Sequence, residues 1–318
     1  GPRMVRMGFI EGRNEKAAAS KVTAETPEEA KAAVEYFVKR GYEGIKIYNS
    51  MKPELVPVLA EAAHAKGMLV TGHIPVHMLA HEAVKAGYDG IEHINMLFLN
   101  FLATHETDTR TTQRFTLVGD KGTTLDFKSK PVQDFIALLR ERKIVIDPTL
   151  IAFQDLLVGE PGKHIPGQET LIARMPPQVQ RYFLVNGLPM EAAKRPLYRA
   201  AFGKMLELVK TLYDAKVPVV IGTDWVGGLG MHHEMELYAR AGIPNAAILR
   251  MATIDAARSM KLDGKLGSIA LGKVADLLIV PGDPLADIKA LPAVTTVVSR
   301  GSVFDSAKLY QAVGVAPK

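Results

Sequence analysis

The stretch Gly44–His93 decides the fold of this chain, and it reads GIKIYNSMKPELVPVLAEAAHAKGMLVTGHIPVHMLAHEAVKAGYDGIEH. Three short apolar runs, at 44–48, 69–73 and 90–93, alternate with two helix-like segments that each end at a glycine. Such an alternation at intervals of about twenty residues is the pattern of a parallel α/β domain. We therefore predict buried parallel strands joined by helices.

Each apolar run carries a polar residue at or near its end. Lys46, His73 and His93 lie in the three runs above, and Asp224 follows a fourth run that begins at Val217. Residues at the carboxyl ends of the strands carry the chemistry in (β/α)-barrel enzymes. One ammonium, two imidazoles and one carboxylate, each on its own strand, indicate a metal site with a base.

The same alternation continues through most of the chain and changes near its end. We predict a TIM-like (β/α) barrel domain over residues 1–264 and a small β subdomain over 265–318, where short apolar runs are joined by glycine turns. Two segments, 96–130 and 148–190, interrupt the barrel pattern. We expect them to be long loops over the site that set its specificity.

Composition excludes several classes of protein. The hydrophobic fraction of 47% and charged fraction of 23% are typical of a soluble globular protein, which leaves the cytoplasm and export both open. The 39 basic and 34 acidic residues give a net charge of +5, and scattered basic residues argue against nucleic acid. No apolar run approaches the ~20 residues of a membrane helix. With no cysteine, disulfides and thiol chemistry are excluded.

The most specific stretches are Ala252–Arg258, ATIDAAR, and Gly267–Leu285, GSIALGKVADLLIVPGDPL. They resemble the amidohydrolase superfamily, of the imidazolonepropionase/prolidase-like kind, and the similarity covers nearly the whole chain. The resemblance implies a barrel whose last helix leads into a β-sandwich. It also implies a metal-dependent hydrolase, similar to metallopeptidases, that cleaves amide-like C–N bonds.

The resemblance also implies roles for the four polar residues. Lys46 would be carboxylated and would bridge two divalent metals, for which zinc is expected. His73 and His93 would bind the more exposed metal, and Asp224 would bind the buried one and act as the base. A metal-activated water of this kind attacks amides, dipeptides and esters alike. We expect a small-molecule substrate of one of these classes.

The chain departs from the family in one respect, because it contains no His-x-His pair. We expect it to be N-terminally truncated, with barrel strands three to eight and a remnant of the β-sandwich. Lys46, His73 and His93 would then hold one ion, with a water as fourth ligand. The alternatives are an inactive or incomplete fold that serves as a binding module, or one that needs an N-terminal partner chain. Pairing across the open edge favours a homo-oligomer.

Three further residues are candidates for substrate binding: Tyr48, Trp225 and His232. Tyr48 lies two residues beyond Lys46, and Trp225 directly follows Asp224, so both are close in sequence to the predicted site. His232 and His233 are adjacent and do not share a face of regular structure, so one contacts substrate while the other is solvated. For each residue, ordinary packing is the alternative.

Overall fold

The computed structural model describes residues 3–225 and 230–316, so that Gly1 and Pro2, predicted to lead into a strand, lie outside the described residues. The chain divides into two compact units. The first contains Gly1–Pro148 and Thr211–Val219, and the second contains Thr149–Lys210 and Val220–Lys318. The predicted domain boundary at 264/265 remains a prediction.

Parallel strands form the centre of the first unit. In one sheet β1, β2 and β3 lie in that order, and β4 pairs with β5. Asp89 connects the two sheets, because its backbone N–H donates to Val70 O (2.8 Å) while its carboxylate accepts from Val70 N (2.8 Å). Within each sheet, successive strands are parallel neighbours, as the alternating pattern predicts. The strands are β1 Met7–Ile10, β2 Gly44–Ile47, β3 Leu69–Gly72, β4 Gly90–Glu92 and β5 Val145–Asp147.

Helices connect these strands. The first helix has the clearest start in the sequence. Thr26 caps it by accepting a hydrogen bond from Glu29 N, and Pro27 occupies the first turn. Ile45, Ile47 and Val70 are fully buried beneath the helices. The helices of this unit are α1 Pro27–Val38, α2 Val56–His64, α3 Ala80–Lys85, α4 Asn95–Leu102, α5 Gln113–Lys121 and α6 Lys130–Glu141, with short 3₁₀ turns at Pro53–Leu55 and Gly122–Thr124.

The expectation of a long loop over 96–130 is wrong, because the segment contains two helices, α4 and α5, and a 3₁₀ turn. Helix α4 reads NMLFLNFL, and its residues Asn95–Leu99 are all buried. A helix that is apolar on every side shows no 3.6-residue alternation, which explains why the sequence pattern did not reveal it. The segment 148–190 likewise contains three helices, α7 Leu150–Leu157, α8 Glu169–Ile172 and α9 Pro177–Tyr182.

The predicted last barrel strand, 217–224, is also different in the structure. Among its described residues only Val219 pairs, in an isolated parallel bridge with Ile146. Pro218 has no N–H to donate, although its carbonyl accepts from Ile146 N (2.9 Å). Asp224 adopts a left-handed backbone with φ 43°, so the extended conformation ends there.

The second unit combines helices with a three-stranded antiparallel sheet, β6–β7–β8, in the predicted C-terminal β region. Besides α7, α8 and α9, its elements are α10 Arg195–Asp214 (whose last four residues belong to the first unit), α11 Met231–Arg240, α12 Asn245–Arg250, α13 Ala256–Ser259, β6 Leu277–Ile279, β7 Thr296–Ser299, β8 Ser302–Asp305 and α14 Ser306–Ala312. Within the described ranges, no helix is long and apolar enough to cross a membrane.

A buried carboxylate joins α7 to α11. Glu234 on α11 is 0% exposed and accepts hydrogen bonds from the backbone N–H groups of Leu150 (2.8 Å) and Ile151 (2.6 Å). These N–H groups belong to the first turn of α7, where no intrahelical acceptor exists and where the helix dipole favours negative charge. One turn further on, His233 Nε2 and Gln154 Oε1 are 2.7 Å apart. The side of α7 toward α11 is thereby fixed.

Candidate metal centre

Three potential metal ligands gather at the carboxyl ends of β3 and β4. His73 follows β3, Glu92 ends β4 and His93 follows it, and one ligand atom from each lies within 4.8 Å of the others. Consecutive residues of a regular strand point to opposite faces. His93 has a left-handed backbone, φ 72°, which ends this alternation and lets two adjacent side chains join one cluster.

The His73 ring is held in one orientation. Its Nδ1 lies 2.8 Å from Asn49 Oδ1, and because an amide oxygen only accepts, Nδ1 carries the proton. Nε2 then carries the lone pair that a metal needs. The Tyr88 hydroxyl donates to His73 O (2.7 Å), and the Tyr48 ring packs 4.0 Å from the imidazole. His93 lies on another side, with its ring centroid 4.5 Å away and perpendicular.

Both imidazoles are held in their neutral form. Burial is the main cause: it places the pKa of His73 well below its usual range, and the proximity of His93, Lys46 and Arg114 lowers it further. For His93, burial and then the cations Lys46 and Arg114 lower the pKa to about 3. Neutral imidazole is the metal-binding form, so neither ring must lose a proton at neutral pH to bind an ion.

Lys46 joins the cluster through Glu92, with which its ammonium forms an ion pair. Thr71 lies between them, in register with Lys46 on the adjacent strand, and its hydroxyl donates to Glu92 Oε1 (3.3 Å). Sequence reasoning did not assign a role to Glu92 or Asn49. The signal for Glu92 was an acidic residue inside an otherwise apolar, buried strand; Asn49 carries no comparable signal.

The remaining predicted residues belong to the second unit. Asp224 and Trp225 line a cavity of about 420 Å³ together with Asp155 and Phe183. His232 is half-buried in the first turn of α11 and is not among the residues that line this cavity. Its neighbour His233 is the inward-facing member of the pair, buried against Gln154. The structure thus gathers Lys46, Tyr48, His73 and His93 in the first unit, and Asp224 with Trp225 in the second.

The donor set in the first unit fits a divalent cation. Two neutral imidazoles and a carboxylate are the ligands of many catalytic zinc sites, which leave a fourth position for water. An outer hydrogen bond, such as that from His73 to Asn49, is the usual support of a metal-bound imidazole.

Comparisons with known proteins identify the family and the fold of the chain. The model of the Amidohydrolase family matches residues 11–304. Among solved structures, bottromycin amidohydrolase has a TM-score of 0.72 and 20% identity, and the match covers 99% of this chain and 69% of the other. A Xaa-Pro dipeptidase with bound methionine in the active site has a TM-score of 0.59 and 23% identity, and the match covers 93% of this chain and 63% of the other. Ochratoxinase of A. niger has a TM-score of 0.59 and 20% identity, and the match covers 89% of this chain and 55% of the other.

The chain therefore spans 63% of the length of the Xaa-Pro dipeptidase that it resembles. No curated protein matched it in a sequence search. The structural matches show the fold, a TIM-like α/β fold of the amidohydrolase type, and they confirm the predicted resemblance to prolidase-like members. Because the family match extends over nearly all of the 318 residues, the chain belongs to the amidohydrolase family.

Proposed function

We propose that this protein is a metal-dependent hydrolase that cleaves amide-like C–N bonds, and esters by the same chemistry, with a metal-activated water. The observation that carries the proposal is the cluster of His73, Glu92 and His93 at the carboxyl ends of two parallel strands, in a chain of the amidohydrolase family. The substrate is a small molecule: an amide, a dipeptide or an ester. We propose zinc as the metal, with one ion per chain.

His73 and His93 would hold the ion through their imidazoles, and carboxylated Lys46 would supply an oxygen ligand. Carboxylation forms a bond between Lys46 Nζ and the carbon of CO₂ and releases protons, so a cation becomes an anion. Glu92 holds the uncarboxylated ammonium in place before this step. When bound, the ion lowers the pKa of its water toward neutrality and polarises the carbonyl of the substrate.

Asp224 is the proposed base, and a metal ligand in members that hold two ions. Its carboxylate would take the proton of the attacking water and return it to the leaving nitrogen, because an amine leaves only when protonated. Tyr48, Trp225 and His232 would contact the substrate. Tyr48 packs directly against a proposed ligand, His73.

A second candidate is a binding module without turnover, or a chain that needs ligands from a partner. The absence of a His-x-His pair from the 318 residues favours it. A homo-oligomer, in which a second copy supports the site, also remains a prediction.

The deciding experiment combines metal content with turnover. The protein is purified without added metal, its zinc, manganese and iron per chain are measured by elemental mass spectrometry, and hydrolysis of dipeptides, N-acyl amino acids and aryl esters is assayed with and without a chelator. Bound metal with chelator-sensitive turnover supports the hydrolase. Bound metal without turnover of any class supports the binding module, and failure to bind zinc or manganese overturns the metal site.

A further inference from the structure

The second unit contains a cavity with the dimensions of a ligand site. It encloses about 420 Å³, within the range of about 300–1,000 Å³ that small-molecule sites occupy. Two carboxylates, those of Asp155 and Asp224, line it, whereas no lysine, arginine or histidine does among the described residues. Its chemistry therefore favours a ligand that brings positive charge.

Asp155 carries a charge that the described residues leave uncompensated. Its carboxylate accepts hydrogen bonds from Trp225 Nε1 (2.7 Å) and Gln168 Nε2 (3.0 Å), which are both neutral donors. No lysine, arginine or histidine of the described chain forms an ion pair with it. A carboxylate offers about four acceptor sites, so about two remain for a ligand.

Aromatic rings form a wall of the same cavity. Trp225 and Phe183 stack with centroids 4.6 Å apart and planes 31° apart. Phe183 belongs to a buried cluster with Ile172 and Met175, and Trp225 packs against that cluster. Tyr182, 70% exposed, also lines the cavity. The faces of aromatic rings attract cations, indole most strongly, and a rigid stack loses little entropy when it contacts a ligand.

We propose that this cavity is a substrate subsite for a positively charged, amine-bearing group, whose ammonium pairs with Asp155 and packs against Trp225. The inference rests on the proposed function, because Asp224, the proposed base, lines the same cavity. It goes further in that it specifies the substrate class: amides or esters that carry a cationic amine. Carboxylate groups are excluded from this subsite by the two aspartates.

The chain provides its own reporter, because Trp225 is the only tryptophan in the sequence. Tryptophan fluorescence of the full chain is titrated with phenethylammonium, phenethyl alcohol and hydrocinnamate, which share one phenylethyl frame and differ in charge. We expect a saturable change with phenethylammonium at concentrations about tenfold or more below those for the other two. Equal binding of the carboxylate, or no saturable change with the ammonium, overturns the proposal.

Asp155→Asn tests the carboxylate itself. Gln168 Oε1 has no hydrogen-bond partner, so a turn of the Gln168 amide lets it accept from the introduced amide, and the cavity remains formed. We expect phenethylammonium to bind about tenfold more weakly, phenethyl alcohol to bind as before, and the charge-matched exposed control Glu191→Gln to change nothing. Unchanged ammonium binding in Asp155→Asn overturns the proposal.

These outcomes are independent of the metal site. If phenethyl alcohol also fails to bind to Asp155→Asn, the substitution has altered the cavity itself. The proposal is then decided by whether the wild-type protein binds phenethylammonium more tightly than hydrocinnamate. Metal content and hydrolysis are measured on the same preparations. Loss of ammonium selectivity with intact metal and turnover overturns the subsite only, whereas ammonium selectivity without metal or turnover overturns the hydrolase only.

Discussion

The ammonium of Lys46 on β2 extends past β3 to pair with the carboxylate of Glu92 on β4. The pair is only partly exposed, so the attraction is less screened than on an open surface. Carboxylation of Lys46 would turn this attraction into a repulsion between two anions. A divalent ion beside them would remove the repulsion, which means that carboxylation and metal binding stabilise each other.

We therefore predict that apo protein takes up zinc only weakly in bicarbonate-free buffer and fully once bicarbonate is added. Labelled bicarbonate should then appear as a carbamate signal in the NMR spectrum of the zinc-loaded protein and not of the apo protein. Lys46→Arg retains the ion pair but cannot be carboxylated, so its zinc uptake should not respond to bicarbonate. Full uptake by Lys46→Arg would show that Lys46 is not a ligand.

His93→Ala should remove metal and activity together. The substitution deletes one of two imidazoles, and the site would retain too few ligands to hold an ion. Zinc per chain, measured after dialysis against a weak chelator, should fall by about tenfold or more. His164→Ala is the matched control, because His164 is exposed. Wild-type zinc content in His93→Ala would contradict the assignment.

Asn49→Ala should weaken metal binding without removing a ligand. Asn49 Oδ1 fixes the proton on His73 Nδ1 and so fixes the orientation of Nε2. Loss of such an outer hydrogen bond costs about 10- to 100-fold in affinity. Asn49→Asp retains an acceptor oxygen at this point and should restore most of the affinity in a competition titration with a fluorescent zinc chelator. Equal affinity in all three proteins would refute this role.

Asp224→Asn should retain metal on the imidazoles but lose turnover at neutral pH by about 10²- to 10⁴-fold, the usual contribution of a general base. The comparison is kcat at matched zinc occupancy, with the exposed Asp134→Asn as control. Normal turnover in Asp224→Asn would show that another group moves the proton.

Asp155 should make the protein less stable as the pH rises between about 4 and 6. Burial raises its pKa from 3.8 to about 6, so in that window the folded protein binds more protons than the unfolded chain. Stability then falls with rising pH, by about 3 kcal/mol in total at 1.36 kcal/mol per pH unit. The Asp155→Asn variant lacks this contribution. In urea unfolding followed by circular dichroism, the stability of this variant relative to wild type should therefore improve from pH 4 to 7. A stability difference that does not change with pH would contradict the raised pKa of Asp155.

The sequence predicts the strands of the first unit well because each is a short apolar run bounded by glycine or a polar turn. Leu69–Gly72 and Gly90–Glu92 form almost as the pattern indicates, and His73 and His93 follow them. Since carboxyl ends of neighbouring parallel strands meet at one edge, residues 20 positions apart come into contact.

What sequence reasoning missed has physical causes. The contact of Glu92 with the cluster depends on the left-handed backbone of His93, which alternation rules do not foresee. Asn49 acts through a single hydrogen bond with no periodic signature. Asp155 lies in a segment expected to be loop, and its surroundings depend on Trp225, which is distant in the sequence.

The connection between Glu234 and the first turn of α7 has a consequence for how this family member can change its ligand. Glu234 belongs to α11 and lies apart from the cavity residues that it supports. Its hydrogen bonds to the first turn of α7 fix that helix, and with it Asp155, before any ligand binds. The exposed cavity residues Tyr182 and Val185 take no part in this anchor. Substitutions there can alter the size of the acceptable substrate without loosening the helix, which separates the evolution of selectivity from the maintenance of the fold.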